Sequence, residues 1–170
     1  MSDTSARFHN ILILCTHNSA RSILAEGMLN RLAQQSNKKI KAFSAGSSPR
    51  TSPHPLAIKV LSDVGVDVST LRSKNWDEFT QPDAEKMRVV ITVCDNAANE
   101  PCPFWPGAPV QAHWGFPDPS LTEGAEEIRL KTFDLTRQAI AYKLIQLLQL
   151  PFDSMDDAKL RQELARISVS

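Results

Sequence analysis

Residues Phe8 to Leu14 form a short, almost uninterrupted apolar run. A strand with one wet face needs apolar residues only at every second position. A continuous run has to be buried on both faces, as in a parallel sheet covered by further layers. Parallel strands need long crossover connections, and the sequence supplies them. Leu24, Ala25, Met28, Leu29, Leu32 and Ala33 recur at helical spacing behind the first run. Ile40 to Ser44 predicts a second strand, ended by Ala45-Gly46-Ser47-Ser48-Pro49. His54 to Val64 predicts a helix with Leu56, Val60 and Leu61 on one side and Gly65 at its end. Arg88 to Val93 is a β-branched strand, and Val110 to His113 a short one. Glu126 to Leu148 predicts a long helix with Phe133, Ile140, Leu144 and Leu147 on its apolar face. Pro151 stops it, and Ser154 to Ile167 adds a short amphipathic helix. Strands alternating with helices imply an α/β domain around a parallel sheet.

The remaining composition narrows the function classes. A chain of 170 residues fits one domain. Lys plus Arg and Asp plus Glu each number 19, and this zero net charge argues against a dedicated nucleic-acid or anionic-membrane binder. No stretch approaches the roughly 18 apolar residues of a membrane span. The first residues are polar and Ile11 to Leu14 is too short for a signal-peptide core, so a cytoplasmic protein is expected. The three cysteines, Cys15, Cys94 and Cys102, are an odd set without the density of a disulfide scaffold. No metal site is expected, since His9, His17, His54 and His113 are scattered and no Cys-x2-Cys pair exists. Six of the 11 prolines lie between residues 94 and 121, which reads mostly as loop, and loops of that length in compact domains are usually functional or disordered.

The stretch that carries chemistry is Cys15-Thr16-His17-Asn18-Ser19-Ala20-Arg21-Ser22, a strand end, a polar loop and a helix start. Such a loop turns successive N–H groups inward as an anion nest, and the helix N-terminus adds its positive end. The oxyanion-binding set is therefore Thr16, His17, Asn18, Ser19, Ala20, Arg21 and Ser22, with the Arg21 fork holding two oxygens. The same field is expected to lower the Cys15 pKa to about 5, within the range seen at helix N-termini. Ser22 is expected to give the sulfur one further hydrogen bond. Cys15 and Cys94 each follow a predicted strand directly, so both stand on the rim where parallel sheets bind ligands.

These residues resemble the catalytic loop of low-molecular-weight protein tyrosine phosphatases and of the arsenate reductases built on that fold. Ala25-Glu26-Gly27, Phe43-Ser44-Ala45-Gly46 and His113-Trp114-Gly115-Phe116-Pro117-Asp118-Pro119 extend the resemblance. It spans about residues 8–148, leaving 151–170 as a C-terminal extension of a single catalytic domain. It implies an α/β, three-layer fold with a four-stranded parallel sheet flanked by helices. It also implies a Cys15 nucleophile, an oxyanion-binding Arg21 and a general-acid Asp118. The chemistry asks for such an acid independently, because attack on an oxyanion expels an oxygen leaving group. Asp118, set between two prolines, suits fixed placement.

Phosphate and arsenate share a shape, so the cradle leaves the substrate open. Reduction of As(V) needs two electrons, which a thiol pair supplies on becoming a disulfide. Cys94 and Cys102 form a Cys-x7-Cys segment resembling the redox segment of three-cysteine arsenate reductases, which implies a relay from Cys15 to Cys94 to Cys102. Related phosphatases usually place tyrosines after the Asp-Pro pair. Here Ser120 and Leu121 follow, and Trp114 or Phe116 is left to supply part of a stacking wall. The resemblance implies an external thiol reductant, thioredoxin or glutathione with glutaredoxin, an arsenate or phosphate-like oxyanion as ligand, no bound cofactor, and a monomer. His17 stands where many relatives have Gly, and Ala20 where some thioredoxin-linked members carry another Cys, so the donor stays open. Low-molecular-weight phosphatase activity and a non-catalytic oxyanion-binding regulatory domain are the alternative readings. Some related reductases hold K⁺ beside the loop; the matching positions are Asn18, Glu26, Ser44 and Lys74. Lys74 is expected to take the ion's place as loop support.

Overall fold

The computed structural model describes residues 7–95, 99–100 and 103–170. Four strands, β1 (His9–Leu14), β2 (Ile40–Ala45), β3 (Val89–Thr92) and β4 (Val110–His113), form a sheet in the order β2-β1-β3-β4. All pairings are parallel, with Leu14 opposite Ala45 on one side and Thr92 on the other. The helices are α1 (Arg21–Gln35), α2 (Pro55–Asp63), α3 (Glu126–Leu148) and α4 (Asp157–Ser168). Two 3-10 turns, Trp76–Phe79 and Pro119–Leu121, lie where the sequence offered only loop. Among the described residues no helix is long and apolar enough to cross a membrane.

The apolar run of β1 divides by strand period. Ile11 and Ile13 join the larger core, which all four helices help to build. Leu12 and Leu14 face the other way, onto Phe79, Met87 and Trp105. The sheet is thus the middle of three layers, with a thick helical cover on one face and a thinner one of 3-10 helix and loop on the other. Burial on both faces is what requires the continuous run. The edge strands differ as expected, since Lys41 of β2 and Gln111 and His113 of β4 are exposed.

Helix ends obey local chemistry. Asp156 caps α4 by accepting from the Lys159 N–H at 2.8 Å, and His54 caps α2 by accepting from the Leu56 N–H at 3.1 Å. Pro55 fills the first turn of α2, where its missing N–H costs nothing. α3 carries Glu126 and Glu127 in its first turn, complementing the helix dipole. α1 has neither a capping side chain nor an acid in its first turn. Its N-terminus faces the loop that follows β1.

The chain visits β2 from β1 and then crosses to β3 on the opposite side. The order of strands therefore reverses between the carboxyl ends of β1 and β3, where open α/β sheets leave a crevice. Cys15 follows β1 and Cys94 follows β3 by one residue, so both border that crevice.

Candidate active site

The loop from Cys15 to Ala20 is held from outside. The carbonyl oxygens of Thr16, His17 and Ser19 accept from the backbone N–H groups of Ser48, Arg50 and His54, each at 2.9 Å. The Asn18 carbonyl accepts from the Ser73 hydroxyl at 2.6 Å. A trans peptide points its N–H opposite to its carbonyl. With these carbonyls turned out, the N–H groups of His17, Asn18, Ser19 and Ala20 turn in, and the uncapped first turn of α1 adds its orphan donors. Asn18 supplies the left-handed turn at φ 44°, a conformation Asn tolerates better than most residues. Gly46 is required from the neighbouring strand, because a Cβ there would lie inside contact distance of the Cys15 and Thr16 carbonyl oxygens.

Arg21 reaches across the mouth of this cradle. One terminal nitrogen donates to the Phe116 carbonyl at 2.9 Å, and the other lies 3.4 Å from Asp118 Oδ2. Its Nε is buried and has no partner among the described residues. A buried guanidinium donor left over beside inward N–H groups is a demand for an anion. Asp118 is held by the Ser120 N–H at 2.9 Å and hydroxyl at 2.7 Å, so its other oxygen is the one turned to Arg21. The cradle, the guanidinium and a carboxyl group thus converge as expected.

Cys15 is buried, and its thiol meets that of Cys94 in a hydrogen bond. The expected lowering of the Cys15 pKa is not what this arrangement produces. The hydrogen bond with Cys94, then burial, then the charge of an ionised Cys94 push the Cys15 thiol upward. Arg21 and the Thr16 N–H pull it down and are outweighed. Cys15 is therefore not an isolated loop cysteine but one of a pair with Cys94. Ser22 also differs from expectation. Its hydroxyl oxygen accepts from Asn18 Nδ2 at 2.8 Å, so it stabilises the loop from below.

The loop support is a closed polar network. Asn18 Nδ2 donates to the hydroxyls of Ser22 and Ser44, and Asn18 Oδ1 accepts from the Lys74 N–H at 2.9 Å. The Ser44 hydroxyl donates to Glu26 Oε1 at 2.5 Å. The Lys74 ammonium donates to the carbonyls of Ser44 and Arg72, both at 2.8 Å, and lies 3.7 Å from Glu26 Oε1. Burial pushes Glu26 up and Lys74 down, and each charge opposes the shift of the other. Asn18, Glu26, Ser44 and Lys74 are therefore brought together.

His17 is at the rim with Nδ1 3.1 Å from the Ser48 carbonyl oxygen, leaving only its N–H to the cradle. Trp114 is turned inward, 2% exposed, with its indole N–H donating to the Leu164 carbonyl, and Phe116 is buried as well. Neither stands as an open stacking wall. Leu121 is exposed beside the acid loop. Cys102 lies outside the described residues. The sequence reading passed over Ser73 and Glu100, which meet the loop through contacts 55 and 84 positions apart in the chain. No local pattern announces such contacts. Among the described residues no group of His, Cys, Asp or Glu side chains is arranged to hold a metal ion.

Comparison with known proteins agrees with this geometry. The chain is 35% identical over 134 residues to an arsenate reductase of Bacillus subtilis (strain 168), covering 79% of this chain and 91% of that one. A solved arsenate reductase in an oxidized state superposes with a TM-score of 0.64 at 27% identity, over 83% of this chain and 97% of the other. One in a phosphate binding state superposes with a TM-score of 0.62 at 25% identity, over the same shares. The family model for low molecular weight phosphotyrosine protein phosphatases matches residues 10–165, past Pro151 and into α4. With its sheet order, its cradle between β1 and α1 and this match along nearly its whole length, the chain belongs to the low molecular weight phosphotyrosine protein phosphatase family.

Proposed function

We propose that this protein reduces arsenate to arsenite, with Cys15 as nucleophile and Cys94 as the second thiol. The observation that carries the reading is the contact between the Cys15 and Cys94 thiols beside an anion cradle. A phosphatase needs one sulfur and a water; a reductase needs two sulfurs within bonding reach. Relatives named arsenate reductase, matched over 91% of their length, support it.

Arsenate binds to the N–H groups of residues 17–20, the first turn of α1 and Arg21. The Cys15 thiolate attacks arsenic, and an arsenate hydroxyl leaves as water with a proton from Asp118. Cys94 then attacks the Cys15 sulfur. A sulfur–sulfur bond forms, the sulfur–arsenic bond breaks, and its electron pair reduces As(V) to As(III). Cys102 resolves the disulfide, and an external thiol reductant, thioredoxin or glutathione with glutaredoxin, restores the three thiols. The phosphatase reading is weakened by the inward Trp114 and buried Phe116, neither of which is open for an aryl group to stack on.

One turnover of the reduced protein with arsenate and no added thiol is expected to leave a Cys94–Cys102 disulfide by peptide mapping. Cys15→Ser is expected to abolish both arsenite formation and any hydrolysis of para-nitrophenyl phosphate. Arsenite release that leaves Cys94 and Cys102 as free thiols would exclude the relay. Rapid para-nitrophenyl phosphate turnover with no arsenate reduction would favour the phosphatase, and loss of neither activity in Cys15→Ser would reject the nucleophile.

A further inference from the structure

The relay raises a question of proton accounting. The Cys15 thiol is hydrogen-bonded to Cys94. For Cys15 to attack first, its proton passes to Cys94. Cys94 then holds a proton that it must lose before it can attack in turn. We propose that Glu100 receives this proton through the hydroxyl of Thr16, making Glu100 the terminus of a relay that arms Cys94. The inference rests on the reading of Cys94 as second thiol.

The geometry is a three-atom chain. Thr16 Oγ1 lies 3.8 Å from Cys94 Sγ, within reach of a hydrogen bond to sulfur, and donates to Glu100 Oε1 at 2.7 Å. A hydroxyl has one proton to give. Because Thr16 gives it to Glu100, the lone pairs of Oγ1 are what it offers to a Cys94 S–H. Transfer shifts each proton one place: Cys94 S–H to Thr16 Oγ1, and the Thr16 hydroxyl proton to Glu100. The product is also hydrogen-bonded throughout, with protonated Glu100 donating to Thr16 and Thr16 donating to the new thiolate. The Thr16 N–H, 3.4 Å from Cys94 Sγ, steadies the same thiolate.

The other charged groups around the thiol pair have different engagements. Arg21 is tied to the Phe116 carbonyl and to Asp118. Asp95, next to Cys94, is 3.0 Å from His113 Nε2, whose Nδ1 meets the Thr92 hydroxyl at 2.7 Å. Among the described residues Glu100 is the carboxylate with a hydrogen-bonded path to the Cys94 sulfur. In the chain it lies between Cys94 and Cys102.

The test is single-turnover arsenite release by the reduced full chain, measured by rapid mixing across a pH series. Glu100→Gln is expected to slow release about a hundredfold near neutral pH, within the range of general acid–base effects. The loss shrinks as pH rises and solvent base replaces the carboxylate. Glu100→Asp recovers part of the rate, Thr16→Ser keeps most of it, and Thr16→Val repeats the Glu100→Gln profile. The double variant Thr16→Val with Glu100→Gln is expected to be no slower than either single one, because both break one path. A Glu100→Gln protein with the wild-type rate and profile overturns the relay. So does a loss that is uniform across pH and unrelieved by Asp, which marks a structural role. Cys94→Ser is run beside these: if it still releases arsenite, the two-thiol reading itself fails, whatever Glu100 does.

Discussion

At the residue scale, Lys74 is the cation of the polar network beneath the loop. Its ammonium satisfies two carbonyl oxygens and faces a buried carboxylate, while its own N–H orients Asn18 at the turn of the loop. A potassium ion about 4 Å from that ammonium would be repelled by roughly 4 kcal/mol at an effective dielectric of 20. Melting temperature and activity are therefore expected not to change when K⁺ replaces Na⁺ at constant ionic strength, and Lys74→Asp is expected to create K⁺ dependence. Clear stabilisation of the wild-type protein by K⁺ over Na⁺ would refute this. Lys74→Met is expected to cost about 3–5 kcal/mol, as for removal of one partner of a buried pair. The sign of its pH dependence follows from Glu26, whose pKa burial already raises and Lys74 lowers. Without the ammonium the folded-state value rises further above the unfolded one. Stability contributed by a raised carboxyl is present below the unfolded pKa and lost as pH rises through the folded pKa. The deficit of Lys74→Met is thus largest at alkaline pH and smaller in mild acid, which thermal unfolding across a pH series measures.

At the scale of the element, α1 is the helix whose beginning is left unfinished. α4 closes its N-terminus with Asp156, and α3 places two acids there, whereas Ala20 offers α1 nothing. The missing cap is a stability deficit that an oxyanion makes good. Phosphate at about a hundred times its dissociation constant is expected to stabilise the fold by roughly 2.7 kcal/mol. Ala20→Asp puts a carboxylate where the oxyanion sits, and the phosphate-dependent rise in melting temperature is expected to vanish. Calorimetry with and without phosphate checks this, and an undiminished rise in the variant would show that phosphate binds elsewhere.

At the scale of the whole molecule, the sheet order brings two chain-distant cysteines to one crevice, and the C-terminal helix steadies the wall opposite. Leu160, Leu164 and Ile167 of α4 are fully buried in the helical core. The Leu164 carbonyl fixes the Trp114 indole, and the Ser168 hydroxyl donates to the His113 carbonyl. Trp114 begins the segment that ends in Asp118, so α4 braces the strand end that leads to Asp118. Leu164→Ala is expected to cost about 3 kcal/mol as a buried cavity. For a chain of this size that is a fall of roughly 6–12 °C in melting temperature. A fall of only a degree or two would mean that α4 is a loosely attached appendage.

Much of this was legible in the residues alone. Apolar runs and helical spacings predicted the four strands and the helices α1 to α4 to within a few residues, because burial on both faces or along one stripe leaves a periodic mark in the chain. The polar loop between β1 and α1 announced an anion nest by its own composition. The Cys15 environment was not legible. A loop read in isolation predicts a lone thiol in a positive field, whereas the fold sets Cys94 against it from 79 positions away and reverses the balance. The same holds for Ser22, claimed by Asn18, for Trp114, drawn inward by α4, and for Glu100 on Thr16. Periodicity records what each segment does with water. Which distant side chain shares a proton, a lone pair or a cavity with it is decided only when the crossovers close and the sheet brings the segments together.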